Sequence, residues 1–184
     1  MKKQIVTACL YTLVTAVVLG LGYPLLITGI AQLTMRNKAD GQLITAGGKA
    51  VGSALIGQPF TGAGYFHSRP SAAGTGYDAT ASSGSNYAPT SKALVGRVEA
   101  SVKAESDGTP VPVDLVTASG SGLDPDITPA AAMYQVHRVA SERHLADAAV
   151  AQLVQDHIVP RQLGLLGEPR INVLELNLAL DRLK

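Results

Sequence analysis

Residues 4–35 read QIVTACLYTLVTAVVLGLGYPLLITGIAQLTM, a run of 32 residues without one charged side chain. A helix that spans a bilayer needs roughly 20 apolar residues, so this run is long enough to cross with some tilt. A cleaved signal peptide has an apolar core of only about 7 to 15 residues, although Gly29-Ile30-Ala31 resembles a cleavage site. A helix in a soluble core normally carries a polar stripe. The run therefore predicts a single permanent transmembrane anchor within residues 1–35.

The charges that flank this run predict its orientation. Lys2, Lys3 and the terminal amine precede it, and cytoplasmic flanks usually carry the positive excess. Arg36 and Lys38 at the other end weaken the asymmetry, but a long following domain is exported largely regardless of its charges. We therefore expect a cytoplasmic N terminus and an extracytoplasmic domain formed by residues 36–184.

Small residues recur along the run at every fourth position. Ala8, Thr12, Ala16 and Gly20 would form a ridge that lets another helix approach closely. Small residues are also common in spanning helices in general, so the pattern has two interpretations. The Gly-Tyr-Pro sequence at 22–24 is expected to interrupt the helix near its outer end.

The composition of the remaining chain limits its function classes. All 14 acidic residues and all but two of the 15 basic residues lie beyond Met35, so this part is nearly neutral, whereas nucleic-acid-binding domains usually show a basic face. The single cysteine, Cys9, lies inside the apolar run, so disulfides cannot stabilise the domain. The length allows one α+β domain with its own core, and no nucleic-acid partner is expected.

Helices and short strands are predicted to alternate in this domain. Residues 36–50 are polar and Gly-rich, which is typical of a neck, and the composition of 71–90 predicts an ordered surface loop that meets a partner, or else a mobile insertion. Apolar or β-branched runs predict strands at 51–60 and 111–117. Apolar spacing predicts helices at 91–105, 129–143 and 147–158 and, with a strand as the alternative, at 171–183.

Capping residues mark the ends of the later helices. Thr128 stands before Pro129, and Asn172 with Glu175 three residues on has the pattern of a capping box. His144 and Leu145 form the expected hinge between the two middle helices.

Polar residues alternate around a single aromatic residue at 65–71. In an extended chain Tyr65, His67, Arg69 and Ser71 point to one side and Phe66 to the other. The alternation predicts a polar binding face that is attached to the domain by the buried side chain of Phe66.

A Ser-Gly-Ser-Gly loop, Ser119 to Gly122, is expected between a strand and a helix. Such a loop can gather backbone amides that hold a phosphate, but the Gly-x-x-x-x-Gly-Lys pattern is absent and no basic residue stands nearby. Asp114, Asp124 and Asp126 surround the loop in sequence instead. The loop is therefore a tight connection, a nucleotide site, or part of a polar surface whose carboxylates attract cations.

Catalytic and metal-binding patterns are missing from the sequence. Ser119 and Ser121 lack the spacing of a Gly-x-Ser-x-Gly nucleophile. His137 and His144 are seven residues apart, which places them about 10 Å apart on a helix and too far to share a metal. We expect no metal site and no catalytic residue.

Several long motifs, in this order, resemble the C subunit of the Kdp potassium-transporting ATPase. They are Tyr23-Pro24-Leu25 with Thr28, Leu55-Ile56-Gly57-Gln58, Tyr65 to Ala72, Ser85-Asn86 with Pro89, Asp114 to Pro125, and Gly167-Glu168-Pro169-Arg170-Ile171-Asn172-Val173-Leu174. The resemblance covers nearly the whole chain.

The resemblance implies a non-catalytic accessory subunit in the bacterial inner membrane, with its domain in the periplasm. Its implied partners are a channel-like potassium-translocating subunit, a P-type ATPase subunit that hydrolyses ATP, and a small single-helix subunit. We expect the ridge of Ala8, Thr12, Ala16 and Gly20 to dock on the channel-like subunit. The three aspartates and the face at 65–71 would then shape the access of potassium.

The resemblance also implies that the subunit raises the ATP affinity of the hydrolytic subunit, with Ser119, Gly120, Ser121 and Gly122 as nucleotide contacts. The expected topology conflicts with that role, because ATP is inside the cell and the loop outside. No cofactor is expected to bind tightly, and any ATP contact would pass through the catalytic subunit. A signal-anchored periplasmic binding protein or hydrolase acting alone is the alternative function, and a pure assembly factor is a third.

Overall fold

A computed structural model of the chain describes residues 1–183 in two compact units. The first unit is Met1–Leu43, and the second begins at Ile44. The architecture, one apolar N-terminal helix and a small domain of helices and strands, agrees with the fold class expected from the sequence.

The first unit is dominated by a helix of 33 residues, Lys2–Thr34, which is long and apolar enough to cross a membrane. It consists of α1 (Lys2–Val17), a π-helical turn (Val18–Gly22) and α2 (Tyr23–Thr34). Its apolar side chains are exposed, as for Leu10 and Leu25. A surface of this kind is stable in hydrocarbon and costs free energy in water.

The π turn is explained by Pro24. Proline has no backbone N–H, and its ring crowds the carbonyl four residues earlier, which here belongs to Gly20. The N–H of Tyr23 donates to the carbonyl of Val18, five residues back, so the helix widens by one residue before the proline instead of breaking. The predicted interruption near residues 22–24 is therefore present as a wide turn.

A short helix and a β-hairpin occupy the segment that the sequence suggests is a neck. Helix α3 (Arg36–Ala39) is followed by strands β1 (Leu43–Ala46) and β2 (Lys49–Ser53), which form a two-stranded sheet. Gly47 and Gly48 have φ angles of 58° and 79°, as a two-residue type I′ hairpin turn requires. The strand expected at 51–60 is thus mostly wrong, because pairing ends at Ser53 and the chain turns.

The strand expected at 111–117 is also wrong. Val113–Leu115 forms a 3₁₀ turn, and the hydroxyl of Thr117 donates to the carbonyl of Val113 at 2.8 Å. Pro112 withholds an N–H group that a ladder needs, and Pro110 lies directly before the segment, which together outweigh the β-branched composition. The long loop at 71–90 contains turns and bends but no helix or strand among its described residues, as the sequence predicts.

The remaining helices agree with the sequence prediction to within a few residues. They are α4 (Lys92–Glu105), α5 (Pro129–Arg143), α6 (Asp147–Asp156) and α7 (Val173–Leu180). The side chain of Thr128 accepts from the N–H of Ala131, and that of Asn172 accepts from the N–H of Glu175, so both predicted caps are confirmed. His144 ends α5 in the left-handed conformation at the expected hinge.

The core lies between α5, α6 and α7. Strands β3 (Asp126–Ile127) and β4 (Ile171–Asn172) pair antiparallel and bring the start of α5 beside the start of α7. The largest buried apolar side chains are Phe66, Val139, Val150, Val154, Ile171, Val173, Leu176 and Leu180. Aliphatic residues dominate this core, and Phe66 comes from the segment that carries the predicted binding face.

Candidate functional site

The segment at 65–69 is neither helix nor strand, and its backbone pairs with side chains. The N–H and carbonyl of Phe66 bond to the Oδ1 and Nδ2 of Asn177 at 2.9 and 3.0 Å. The same groups of His67 bond to the Oε1 and Nε2 of Gln135 at 2.7 and 3.2 Å. Asn177 and Gln135 are each 1% exposed, so two buried amides satisfy the backbone of Phe66, which is buried, and that of His67, which is half-buried.

Two arginines fix the start of this segment. The guanidinium of Arg138 donates to the carbonyl of Tyr65 at 3.0 Å and to the Oε1 of Gln135 at 2.6 Å. The guanidinium of Arg143 lies 4.5 Å from the centre of the Tyr65 ring and pairs with Asp181 at 2.8 Å. Burial lowers the pKa of Arg138, although the nearby charge of Glu105 opposes this effect. Side chains from α5 therefore hold the predicted binding segment in one conformation.

His67 pairs with Glu105 between two clefts. Its Nδ1 lies 2.9 Å from the Oε1 of Glu105, and its Nε2 lies 3.3 Å from the carbonyl of Gly62. One cleft of about 370 Å³ and another of about 220 Å³ are both lined by His67, Ala104 and Glu105. Burial alone would raise the pKa of Glu105, but the hydrogen bond and charge of His67 and the charge of Arg138 outweigh it and lower that pKa.

Arg69 and Ser71 tie the segment to the loops around it. Arg69 pairs with Asp124 at 3.0 Å, and its carbonyl accepts a hydrogen bond from the hydroxyl of Tyr77. Burial raises the pKa of Tyr77. The hydroxyl of Ser71 donates to the carbonyl of Gly122 at 2.6 Å and accepts from the N–H of Tyr77 at 2.7 Å. The residues of the predicted face thus make many internal contacts, and two of them, His67 and Arg69, also line the larger cleft.

The three aspartates are not gathered into one cluster. Asp114 accepts from the N–H of Thr128 at 2.8 Å and so orders the start of α5. Asp124 accepts from the N–H of Asp126 at 3.1 Å, and Asp126 pairs with Arg170 at 2.9 Å. Burial and the charge of Asp124 raise the pKa of Asp126, while Arg170 opposes them. The structure therefore brings Asp124 and Asp126 together and gives each aspartate a structural partner.

The loop Ser119 to Gly122 packs against the long loop at 71–84. The carbonyl of Ser121 accepts from the N–H of Ser83 at 2.9 Å. Gly122 has a φ of +66°, and a Cβ at this position would lie 2.5 Å from the carbonyl oxygen of Ser83 and 2.6 Å from the nitrogen of Ala73. Only glycine fits such a backbone approach. Gly120, in contrast, has open space where a Cβ would be.

The small residues of the N-terminal helix are all exposed in the first unit. Ala8, Thr12 and Ala16 lie in the regular part of α1, while Gly20 lies in the π turn. Among the described residues no group of three or more His, Cys, Asp or Glu side chains could hold a metal ion.

Sequence reasoning missed the residues that hold the face in place. Gln135 and Asn177 are the important omissions, and Asn177 had a signal, because it is the one amide in the helix Val173–Leu180, whose other residues apart from Glu175 are aliphatic. The contact of Glu105 with His67 joins residues 38 positions apart and left no local pattern.

Comparison with known proteins gives a consistent result. The family model described as "KdpC: K+-transporting ATPase, c chain" matches residues 5–182. Proteins named "Potassium-transporting ATPase KdpC subunit" are similar over nearly their full lengths. The protein of Koribacter versatilis is 59% identical, and the match covers 98% of this chain and 95% of the relative. The protein of Acidobacterium capsulatum is 62% identical, and the match covers 96% of this chain and 97% of the relative. That of Gemmatimonas aurantiaca is 55% identical over 100% of this chain and 94% of its own. The chain therefore belongs to the KdpC family of potassium-transporting ATPase subunits.

Proposed function

We propose that this chain is a non-catalytic accessory subunit that assembles and stabilises an ATP-driven potassium uptake complex. The supporting observation is that the polar residues of the candidate site fasten the segment at 65–71 to the domain. Gln135 and Asn177, both buried, hold its backbone, and Arg69 and Ser71 bind neighbouring loops. Such an arrangement suits a preformed contact surface, because binding then costs little ordering entropy.

The proposed partners are a channel-like subunit, a P-type ATPase subunit and a small single-helix subunit. The apolar helix Lys2–Thr34 would anchor the chain in the bacterial inner membrane, with the N terminus in the cytoplasm and the domain in the periplasm. Protease added to spheroplasts should then degrade the chain beyond Arg36. Protection in spheroplasts combined with cleavage in inverted vesicles would show the opposite topology, with the domain in the cytoplasm.

The ridge of Ala8, Thr12, Ala16 and Gly20 is the proposed docking face of the helix. Replacing Ala16 and Gly20 by Leu adds bulk where close helix approach is needed, so less of the complex should survive purification in detergent. The control is Val14→Leu with Val18→Leu, which has the same spacing on another face. An intact complex with the first pair of changes would contradict the docking face.

The three aspartates and the face at 65–71 are proposed to shape the access of potassium. Changing Asp114, Asp124 and Asp126 to Asn keeps an oxygen acceptor at each position but removes the charge, so the apparent potassium requirement of ATP hydrolysis should rise. Asp156→Asn, at an exposed position of α6, is the control. An unchanged requirement would remove this part of the proposal.

A nucleotide contact at Ser119 to Gly122 is the less favoured possibility. The carbonyl of Ser121 and the backbone around Gly122 already face the loop at 71–84, which supports a packing role. Gly120→Ala changes the loop where space is open, so it should leave the ATP requirement of the complex unchanged. A raised KM for ATP in that variant would favour the nucleotide contact.

A binding protein or hydrolase acting alone is the alternative function. The observation in its favour is the pair of clefts on either side of His67 and Glu105, the larger of about 370 Å³. Purification of the chain from native membranes decides between the two, because an accessory subunit should bring the other subunits with it, whereas a protein acting alone should not.

A further inference from the structure

Residues 159–170, between α6 and β4, form a hairpin-like arm. Val159 and Arg170 exchange backbone hydrogen bonds of 2.8 and 3.1 Å at its base. Nearer the tip, the N–H groups of Gln162 and Leu166 each donate to the carbonyl of the other at 2.9 Å. The arm is thus an ordered projection closed by its own backbone bonds.

The tip has a backbone that few residues adopt readily. Leu163 has a φ of 53°, and Gly164 and Gly167 have φ angles of 74° and 76°. Positive φ is uncommon for a residue with a Cβ and inexpensive for glycine. The two glycines therefore fit a fixed turn, which presents the side chains of residues 163, 165 and 166 in a defined arrangement.

Those side chains are leucines that the domain does not cover. Leu163, Leu165 and Leu166 are 91%, 82% and 60% exposed, whereas Leu176 and Leu180 in the neighbouring α7 are fully buried. Folding of this chain gains nothing from apolar groups that stay in water. Clustered exposed apolar groups of this kind mark interaction sites.

Charge at the arm favours an apolar protein partner over a lipid surface. Residues 162–167 are uncharged, and below them Arg161 pairs with Glu168 at 2.7 Å while Arg170 pairs with Asp126 at 2.9 Å. Membrane-surface segments normally offer unpaired Lys or Arg to anionic headgroups and Trp or Tyr to the interface. The tip offers neutral aliphatic groups whose nearest charges are already compensated.

The size of the tip argues against pairing between two copies of this chain. Three leucine side chains cover a few hundred Å², well below the roughly 1,200 Å² that a stable interface buries. A rigid apolar tip of this size instead suits an anchor that fills a recess within a larger contact.

We infer that Leu163, Leu165 and Leu166 insert into an apolar recess on another subunit of the ATPase complex. This inference rests on the proposed function and names a contact of the soluble domain that is separate from the helix ridge. The arm would bind the domain to its partner, and the helix ridge would bind the membrane anchor to its partner.

Leu165→Ser with Leu166→Ser in the full chain tests the inference. Each buried leucine that is lost should weaken the association about tenfold, so recovery of the other subunits in detergent should fall sharply. The thermal unfolding midpoint of the isolated full chain should not change, because both side chains are exposed. Unchanged recovery would overturn the inference. The control Gln152→Ser with Gln155→Ser changes two exposed residues of α6 and should leave recovery intact.

A second experiment identifies what the tip touches. Cys9 is the only cysteine, so Leu165→Cys in a Cys9→Ser background can carry a single short photoactivatable crosslinker in native membranes. An adduct identified by mass spectrometry as another subunit of the complex supports the inference. Adducts with lipid alone, or none above those from Gln152→Cys, overturn it. If the wild-type chain brings no other subunit with it, the proposed function itself fails. If the complex forms and the tip variant leaves it intact, only the inference about the tip fails.

Discussion

Helices α4 and α5 have 14 and 15 residues, yet they are held in the domain in different ways. Helix α5 buries six residues, among them Val139 and Gln135, whereas none of the described residues 92–105 is fully buried. Helix α4 is fastened by polar contacts: Arg97 donates to the carbonyl of Ser71 at 2.6 Å, and Glu105 bonds to His67. Apolar periodicity predicted both helices, but it did not distinguish a core helix from a peripheral one.

The candidate binding segment at 65–71 therefore has two kinds of support. Gln135 on α5 satisfies its backbone from the buried side, while Glu105 on α4 contacts its side chain from the more exposed side. Buried hydrogen bonds are costly to break, because the abandoned groups have no water to replace the partner, and exposed ones cost little. Changes in α5 should therefore affect stability more than matching changes in α4.

Gln135→Ala should cost more stability than any other change. It removes the buried amide that bonds the half-buried backbone of His67 and the guanidinium of Arg138, so the free energy of unfolding should fall by about 2 to 4 kcal/mol. Denaturation of the full chain in detergent, followed by circular dichroism, measures the loss. Gln152→Ala, at an exposed position of α6, is the matched control and should change stability by no more than about 0.5 kcal/mol. An equal loss in the two variants would refute the role of Gln135.

A second pair of substitutions compares the apolar faces of α5 and α4 directly. Val139→Ala in α5 leaves a cavity in the core, so it should cost about 2 kcal/mol of unfolding free energy. Val102→Ala in α4, where the side chain is 38% exposed, should cost less than about 1 kcal/mol. The same denaturation experiment measures both. Similar losses would mean that the apolar face of α4 is buried in solution, and they would contradict the distinction between a core helix and a peripheral one.

Substitutions at the N-caps of α5 and α4 should differ less in their cost to stability. Thr128→Ala removes the hydroxyl that accepts from the N–H of Ala131 at 3.2 Å, which should cost about 1 kcal/mol. Ser91 at the start of α4 makes no side-chain capping bond, so Ser91→Ala should cost only a few tenths of a kcal/mol. A larger cost at Ser91 than at Thr128 would show that α4 is capped in solution.

Glu105→Gln, which removes a contact of the candidate site from the α4 side, should have a small effect that depends on pH. The pair with His67 is partly exposed, so we expect a loss of about 0.5 to 1 kcal/mol at neutral pH. Because the pKa of Glu105 is lowered on folding, the stabilisation is complete above the unfolded-state pKa of roughly 4.3 and disappears as the pH falls through the folded-state pKa. Unfolding curves of both proteins from pH 7 to pH 3 should converge. A constant difference would contradict the assignment.

Local patterns in the sequence predicted much of the fold. The uncharged run predicted the N-terminal helix, and Thr128 and Asn172 predicted the starts of α5 and α7, because a cap acts on N–H groups only three residues away. The β-branched run at 111–117 led to a wrong prediction, because a strand needs a partner and Pro112 cannot donate a ladder hydrogen bond. Gly47-Gly48 was a hairpin signal that could have been read.

The apolar helix, the four helices of the domain, the buried position of Phe66 and the family could all be predicted from the order of residues. How the candidate site is held could not, because its supports come from distant parts of the chain. Gln135 and Asn177 meet the segment at 65–69 across 68 and 111 positions of chain, and Gly122 is required by the backbone of another loop. The physical reason is range: helix periodicity and caps arise between residues a few positions apart, whereas buried polar groups find partners wherever folding brings them.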